Sequence, residues 1–438
     1  MVSIRLRPTV GRVDGVMARL AILSLHTSPL AQPGTGDGGG MNVYVREMAS
    51  ALARAGHRCD VFTRADRPDL DEVVDVEPGF RVHHVVAGPV GPLAKELLES
   101  VVPEFTDRVL AKMTTVSGAP IAAEEGGPFD AVHANYWLSG LAGHIIKHEL
   151  DIPLLSTFHT LDRVKAEAMP EEIDSDLSDR RAAAEAMVIA CSDAVLASCT
   201  VEAEQIVALY GADPGRIAIV PPGVDHAFFA PGERRQARRA LAIDHEGPLL
   251  LFVGRIQPLK GAHLAVGALA ELVEAGVDAK LVIVGGPSGQ LGQETLDALH
   301  VTVEGLGLED RVIFRPPQPH ELLSSYYRAA DVTVCPSRSE SFGLVALESA
   351  ACGTPVVASA VGGLTTLVDE GETGHLIEST DPADYAAAIA DVVSSSDREL
   401  ALSAASVLRA RRYTWRSAAV QLSELTERLI SRRLVACS

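Results

Sequence analysis

Two Rossmann-like α/β domains, each built on a parallel sheet and facing the other across a cleft, are predicted by three features of this sequence. Short β-rich apolar runs alternate with helix-length segments almost throughout, the pattern of parallel sheets covered on both faces. A strand, glycine loop and helix layout occurs once in each half of the chain. The rigid run Pro221-Pro222-Gly223-Val224-Asp225 separates the halves.

The first half opens with an apolar strand over residues 20–25, then the loop Gln32-Pro33-Gly34-Thr35-Gly36-Asp37-Gly38-Gly39-Gly40-Met41-Asn42 and an amphipathic helix over 43–55. Further strands are expected over 58–63, 80–86, 131–133, 154–158, 194–197 and 217–220, with a helix over 101–118 and a loop over 120–128. The second half restarts with a strand over 249–253 and continues over 280–284, 312–314, 332–335, 355–358 and 374–377. The chain closes in a long helical pattern over 415–434. The expected domains are 17–222 and 223–410, with 411–438 a helix packing back on the first domain. Residues 1–16 read as a disordered arm or a start codon assigned too early, because Met17 directly precedes the first strand.

Composition bounds the function. A chain of 438 residues, 47% hydrophobic, can bury two cores. Its formal charge, 38 − 58 = −20, disfavours nucleic acid and anionic membranes, so any bound phosphate needs a local basic cluster. The cysteines, Cys59, Cys191, Cys199, Cys335, Cys352 and Cys437, show no CxxC spacing and read as reduced thiols of a cytoplasmic protein. No apolar run approaches the ~20 residues of a membrane span.

A glycine loop between strand and helix offers backbone N–H groups to an anion, although a plain flexible turn has the same letters. The spacing Gly34-Thr35-Gly36-Asp37-Gly38-Gly39 also matches a dinucleotide fingerprint. It lies too far past residue 25 for the tight first turn, and Asp60 ends no clean ribose motif, which disfavours a single large oxidoreductase. In the second half, Gly254-Arg255 and Lys260-Gly261 place a guanidinium fork and a point charge at a strand end. Either cation alone could be merely solvated; together they suit a pyrophosphate. The run from Pro336 to Glu348 carries Glu340 in a polar turn and Glu348 on the helix beyond, which starts near Phe342 or Gly343. An acid before a helix is often only a cap, but this pair flanks an N-terminus able to meet phosphate while its carboxylates accept hydroxyls.

Glu340 and Glu348, with Gly254-Arg255 and Lys260-Gly261, resemble the retaining GT-B glycosyltransferases of glycosyltransferase family 4. His26-Thr27-Ser28-Pro29-Leu30, Gln32-Pro33-Gly34, Asp37 to Asn42, Ala94-Lys95-Glu96, Tyr136-Trp137-Leu138-Ser139-Gly140 and Val220-Pro221-Pro222-Gly223 narrow the resemblance to the D-inositol-3-phosphate glycosyltransferases of mycothiol biosynthesis. The resemblance spans Met17 to the low 390s. It implies UDP-N-acetylglucosamine as donor and 1D-myo-inositol 3-phosphate as acceptor, with retention of configuration. Gln32, Pro33, Gly40, Arg255, Lys260, Gln318, Glu340 and Glu348 would bind the donor. Of these, Arg255 and Lys260 would take the pyrophosphate, Glu340 the sugar hydroxyls and Glu348 the ribose. His26, Asp37, Gly38, Gly39, Gly40, Met41, Asn42, Lys95, Tyr136, Thr160 and Arg180 would bind the acceptor. His159, Glu340, Arg255 and Lys260 would carry catalysis.

A magnesium ion, structural because no Asp-x-Asp motif is present, would lie near Tyr327, Arg328, Ala330 and Thr354. A homodimer is implied by analogy. His159 ends a strand and could equally be a structural histidine; His133 and His144 read as structural. Asn135 stands where the resemblance expects His, Ala166 where it expects Asn, and Arg181 could replace Arg180. Open alternatives are another GT-B transferase of the sucrose-phosphate or phosphatidylinositol-directed kind, a sugar-nucleotide epimerase on the same fold, or an idle UDP-sugar-binding protein.

Overall fold

The computed structural model describes residues 17–34, 36, 38–116, 119–120, 129–170 and 175–437. The predicted arm over 1–16 and most of the predicted loop over 120–128 lie outside the described residues. Strands of the first half are β1 (Arg19–Leu23), β2 (Arg58–Arg64), β3 (Val73–Glu77), β4 (Phe80–Val85), the short pair β5 (Thr115–Val116) and β6 (Ala119–Pro120), β7 (Ala131–Asn135), β8 (Leu154–Thr157), β9 (Ala194–Ala197) and β10 (Ile217–Ile219). Eight of them form one sheet in the order β10-β9-β8-β7-β1-β2-β4-β3. The second half contributes β11 (Leu249–Val253), β12 (Lys280–Val284), β13 (Val312–Arg315), β14 (Val332–Cys335), β15 (Val356–Ser359) and β16 (Gly374–Ile377), ordered β13-β12-β11-β14-β15-β16. All pairings in both sheets are parallel except β3 with β4. Two parallel sheets with helices on both faces are the GT-B arrangement.

Sequence reading misses β3. Its residues, Val-Val-Asp-Val-Glu, are half-exposed at the sheet edge, none of them buried, so they lack the continuous apolar run that marks buried strands. The predicted helix over 101–118 is shorter, Val102–Met113, and follows a 3₁₀ turn, Lys95–Val101. The helix after the glycine loop starts at Gly40 rather than at 43 and runs to Arg54. Asn42 explains the early start: its Oδ1 accepts the Gly39 N–H at 2.8 Å, closing the first turn over the last glycines.

Each sheet separates two apolar layers. One layer of the first sheet joins Leu20, Ile22 and Phe80 to Tyr44 and Met48 and, from the far end of the chain, to Trp415, Ala418, Leu422 and Leu429. The helix Trp415–Ile430 therefore shares a core with the helix Gly40–Arg54. It is capped by Thr414, whose hydroxyl accepts the Ser417 N–H. The chain leaving the first sheet and the chain returning to it run side by side: Val224 N–H donates to the Tyr413 carbonyl at 3.3 Å. Gly223 permits this approach, since a Cβ there would lie 2.0 Å from the Trp415 nitrogen.

Candidate active site

In parallel sheets the strand carboxyl ends point at one edge, where loops can converge on a ligand. Here both sheets turn that edge towards a common cleft. A cavity of about 290 Å³ lies between them, and a wider one of about 680 Å³ adjoins it. They share a wall made by Tyr136, His159, Thr160, Glu202, Arg255, Lys260, Glu340 and Ser341.

The wall from the second half is built of paired charges. Lys260 follows β11 and donates from Nζ to Glu340 Oε2 at 2.6 Å. Gly261, at φ 68°, lets this loop lie on the turn after β14, because a Cβ would fall 2.1 Å from the Pro336 carbonyl oxygen. Glu348 is almost fully buried; its oxygens contact His320 Nε2 at 2.6 Å and accept the Tyr327 hydroxyl at 2.9 Å. Burial opposes protonation of His320, but the Glu348 carboxylate prevails and holds its pKa above the ordinary value. Gln318 is anchored by its amide to the Pro316 carbonyl at 2.8 Å and lines the cavity. The helix Leu344–Ala351 begins one residue past its expected start, after Gly343, with its N-terminus at the cavity.

The wall from the first half is different in kind. Gly39, Gly40 and Met41 line the cavity, and the N–H groups of Gly40 and Met41 precede the first intrahelical bond, as an anion requires. Gly38 and Asn42 are buried behind them. Asn42 Nδ2 donates to Thr27 Oγ1 at 2.7 Å and to the Ser28 carbonyl, so this side chain shapes the loop rather than facing the cavity. Asp37 lies outside the described residues, as does the side chain of Lys95. The His26 ring sits 4.5 Å from that of Tyr136.

His159, at φ 62°, contacts Asn135 Oδ1 from Nε2 at 2.9 Å and lies edge-on to Tyr44. Burial, with a small contribution from His133, brings its pKa down to about 3, so the imidazole is neutral at working pH. Asn135, the departure from the expected histidine, is thus the partner that orients His159. His133 is buried against the Thr157 hydroxyl at 2.8 Å, a structural position.

Arg180 and Arg181 separate clearly. Arg180 is exposed and, among the described residues, pairs with Glu99 at 3.8 Å. Arg181 bonds to Glu185 at 2.7 Å, to the Thr160 carbonyl and hydroxyl at 2.8 and 3.1 Å, and stacks 5.0 Å from the Tyr136 ring centre. Of the two cations, Arg181 is the one joined to the acceptor-side residues predicted from sequence.

The walls touch at several points. Gln32 Nε2 donates to the Pro317 carbonyl at 3.2 Å, the Ser288 hydroxyl to the Gly36 carbonyl at 2.9 Å, and the Ser341 hydroxyl to the His159 carbonyl. A Cβ on Gly39 would meet Arg255 Nε at 3.4 Å, which brings the guanidinium of one half against the glycine loop of the other. Sequence reasoning overlooks His320, Ser198, Ser288 and Glu202. The usable signal was position: each follows a strand end or its turn. Glu202 is buried and accepts the N–H of Ser198, whose hydroxyl lies between the Glu202 carboxylate and the Ser341 carbonyl, 3.1 Å from the latter.

The sequence-predicted magnesium ligands cluster at the carbonyl end of the helix Leu323–Ala329, where the helix dipole favours a cation. Thr354 Oγ1 donates to the Tyr327 carbonyl at 2.6 Å, beside Ala330. The Arg328 guanidinium is taken up by the carbonyls of Ala230 and Phe228, so only its backbone could contribute. These neutral hard oxygens fit magnesium by type.

Residues 39–223 match the model of the glycosyl transferase 4-like domain, and residues 233–407 that of glycosyl transferases group 1. The D-inositol 3-phosphate glycosyltransferase of Acidothermus cellulolyticus is 47% identical over 91% of this chain and 87% of its own length. That of Thermomonospora curvata is 45% identical over 93% and 95%. This chain belongs to the D-inositol 3-phosphate glycosyltransferase family. Among solved structures, sucrose-phosphate synthase from Thermosynechococcus elongatus superposes with a TM-score of 0.84 at 31% identity, covering 94% of this chain and 99% of that one. Anabaena HepE, solved with UDP and glucose, superposes at 0.71 and 18% identity over 94% and 100%, a likeness of fold. As a D-inositol 3-phosphate glycosyltransferase family member, the chain is an enzyme of glycosyl transfer, and the charged wall after β11 and β14 belongs to its group 1 half. Among the described residues, no helix is long and apolar enough to cross a membrane.

Proposed function

We propose that the cleft transfers N-acetylglucosamine from UDP-N-acetylglucosamine to 1D-myo-inositol 3-phosphate with retention, the entry step of mycothiol biosynthesis. The observation that carries this is the common wall of the two cavities, where Arg255 and Lys260 from one half meet His159, Tyr136 and Thr160 of the other. The names of the relatives that match along nearly the whole chain support the acceptor.

In this reading the donor diphosphate lies against Arg255, Lys260 and the N-terminus of the helix Leu344–Ala351. These groups stabilise negative charge as the anomeric carbon–oxygen bond to UDP breaks. The acceptor hydroxyl approaches from the same face. Its oxygen forms the new glycosidic bond, and its proton passes to the departing phosphate oxygen, giving GlcNAc-inositol phosphate and UDP. Glu340 exchanges Lys260 for sugar hydroxyls. Glu348, fixed by His320 and Tyr327, turns remaining lone pairs to the ribose. His159 is neutral, so it positions by hydrogen bonding rather than by charge. Arg181 is the acceptor-side cation in place of Arg180, with the loop amides of Gly40 and Met41 taking further phosphate oxygens. A magnesium ion held by the carbonyls near Tyr327, Arg328 and Ala330 and by Thr354 would brace this end of the second domain.

Incubating the purified enzyme with UDP-N-acetylglucosamine and either inositol 3-phosphate or free inositol tests the reading. The expected product carries an α-linkage by its anomeric-proton coupling and forms efficiently only from the phosphorylated acceptor. Comparable use of free inositol, or a β-linked product, overturns the acceptor or the retaining assignment respectively.

A further inference from the structure

Far from the cleft, the last described residues return to the first domain and bring two thiols and two imidazoles together. His144 and His148 lie one turn apart on the helix Trp137–Leu150, their rings 4.8 Å apart. Cys191 is the final residue of the helix Ser175–Cys191. Cys437 reaches this point because the tail after the helix Trp415–Ile430 is pinned just before it: the Val435 N–H donates to Asp193 Oδ1 at 2.7 Å. Asp193 is itself held by the fully buried Lys147 at 2.8 Å, and Lys147 also donates to the Cys191 carbonyl at 2.7 Å. The tail is thus registered on the surface by polar contacts independent of the thiols.

From these elements we infer a zinc-type site formed by His144, His148, Cys191 and Cys437. The ligand atoms of His144, Cys191 and Cys437 all lie within 4.8 Å of one another. Cys437 Sγ is 4.0 Å from His144 Nδ1 and 3.3 Å from His148 Nε2. Zinc bound to two thiolates and two imidazoles in a tetrahedron spaces neighbouring ligand atoms about 3.3–3.8 Å apart. The group of His144, Cys191 and Cys437 therefore needs to contract by at most about 1–1.5 Å, and His148 joins it through its contact with Cys437. The spacing of the imidazoles, three residues between them on a helix, matches the His-x3-His half of known structural zinc sites. Charge agrees as well: two thiolates neutralise a divalent ion, while Lys147 and Asp193 already neutralise each other. Thiolate with imidazole selects zinc over the hard cations suited to the carbonyls near Thr354. Cys191 is buried and His148 exposed, so the site has a closed side and an entry path. The ion would staple the C-terminal tail to two helices of the first domain, a structural role separate from the glycosyl transfer proposed above.

Cobalt titration of the full chain, reduced and stripped of metal, reads the site directly. The expected result is one cobalt bound per chain, with intense visible bands of tetrahedral geometry and a thiolate charge-transfer band. Cys437→Ser should lose the charge-transfer intensity and weaken binding about 100-fold or more, beyond what outer-shell changes cause. His148→Ala should alter the visible bands, and zinc should raise the Tm of the wild type but not of Cys437→Ser. Glycosyl transfer by Cys437→Ser should stay within about twofold of wild type, which shows the variant is folded. An octahedral or absent cobalt spectrum in the wild type, or an unchanged spectrum in Cys437→Ser, overturns the site. So does a Cys191–Cys437 disulfide that forms in air even when zinc is bound.

Discussion

His320 and His159 face the same cleft from opposite domains and are tuned in opposite directions. His320 is paired with the buried Glu348, which raises its pKa against the pull of burial. His159 is paired with the neutral Asn135, so burial acts unopposed and lowers its pKa to about 3. The difference extends to whole walls. The wall of the second domain carries the ion pair Lys260–Glu340 and the contact of His320 with Glu348, whose carboxylate raises the histidine's pKa. The wall of the first domain offers backbone amides, a neutral imidazole and one arginine held by Glu185. An enzyme of charge −20 can hold a cleft cation ready for an anion without leaving it unpaired, as Glu340 holds Lys260.

The largest expected effect tests the charged wall. Lys260→Ala should cut kcat/KM about tenfold to a hundredfold, the loss of a charge-assisted contact of ~1.5–3 kcal/mol. It also leaves Glu340 unpaired near the donor diphosphate. Steady-state kinetics with varied UDP-N-acetylglucosamine decide this, and wild-type values would remove Lys260 from the donor site.

Next, Arg181→Ala should raise KM for inositol 3-phosphate about tenfold while leaving that for the donor within about twofold; Arg180→Ala should move neither by more than about twofold. The reverse ranking would return the acceptor phosphate to Arg180. A smaller effect is expected on the neutral wall: Asn135→Ala should lower kcat about fivefold, as one neutral hydrogen bond of ~1 kcal/mol ceases to orient His159. Asn135→His, the residue expected from the resemblance, should recover part of that loss if orientation is the role.

The smallest effect is a pH signature that contrasts the histidines. The folded pKa of His320 is raised, so its stabilisation is complete below the unfolded histidine value of about 6.5 and fades as pH rises through the folded value. His159 has a depressed folded pKa, so its contribution is complete above about 6.5 and is lost as pH falls towards 3. In Tm measurements between about pH 5 and pH 8, His320→Gln should remove a decline on the alkaline side, and His159→Gln a decline on the acid side. Identical profiles for both variants would erase the contrast.

Most of the architecture was written in the order of apolar runs, because a parallel strand buried on both faces must be continuously apolar. Every strand of the second sheet was legible for that reason, whereas β3, half-exposed at an edge, was not. That Arg255, Lys260 and Glu340 lie at strand ends was legible because their spacing there is local: Arg255 and Lys260 after β11, Glu340 after β14. Contacts between distant segments were not. Nothing in the neighbouring residues says that Glu340 pairs with Lys260, that Glu348 is held by His320, or that Asn135 compensates beside His159. Arg180 and Arg181 are adjacent letters of one type, and only the direction in which the helix presents each separates the exposed cation from the one on Thr160. His144 shows the limit most plainly. By sequence it read as structural, and only the returning tail, which sets Cys437 beside Cys191, brings thiols to it and to His148. Sequence by itself determined the two sheets, their loops and the chemistry each loop could offer, since those follow from local periodicity and residue type. Tertiary structure alone decided which charges meet and which imidazole stays neutral, because pairing and desolvation depend on groups far apart in the chain.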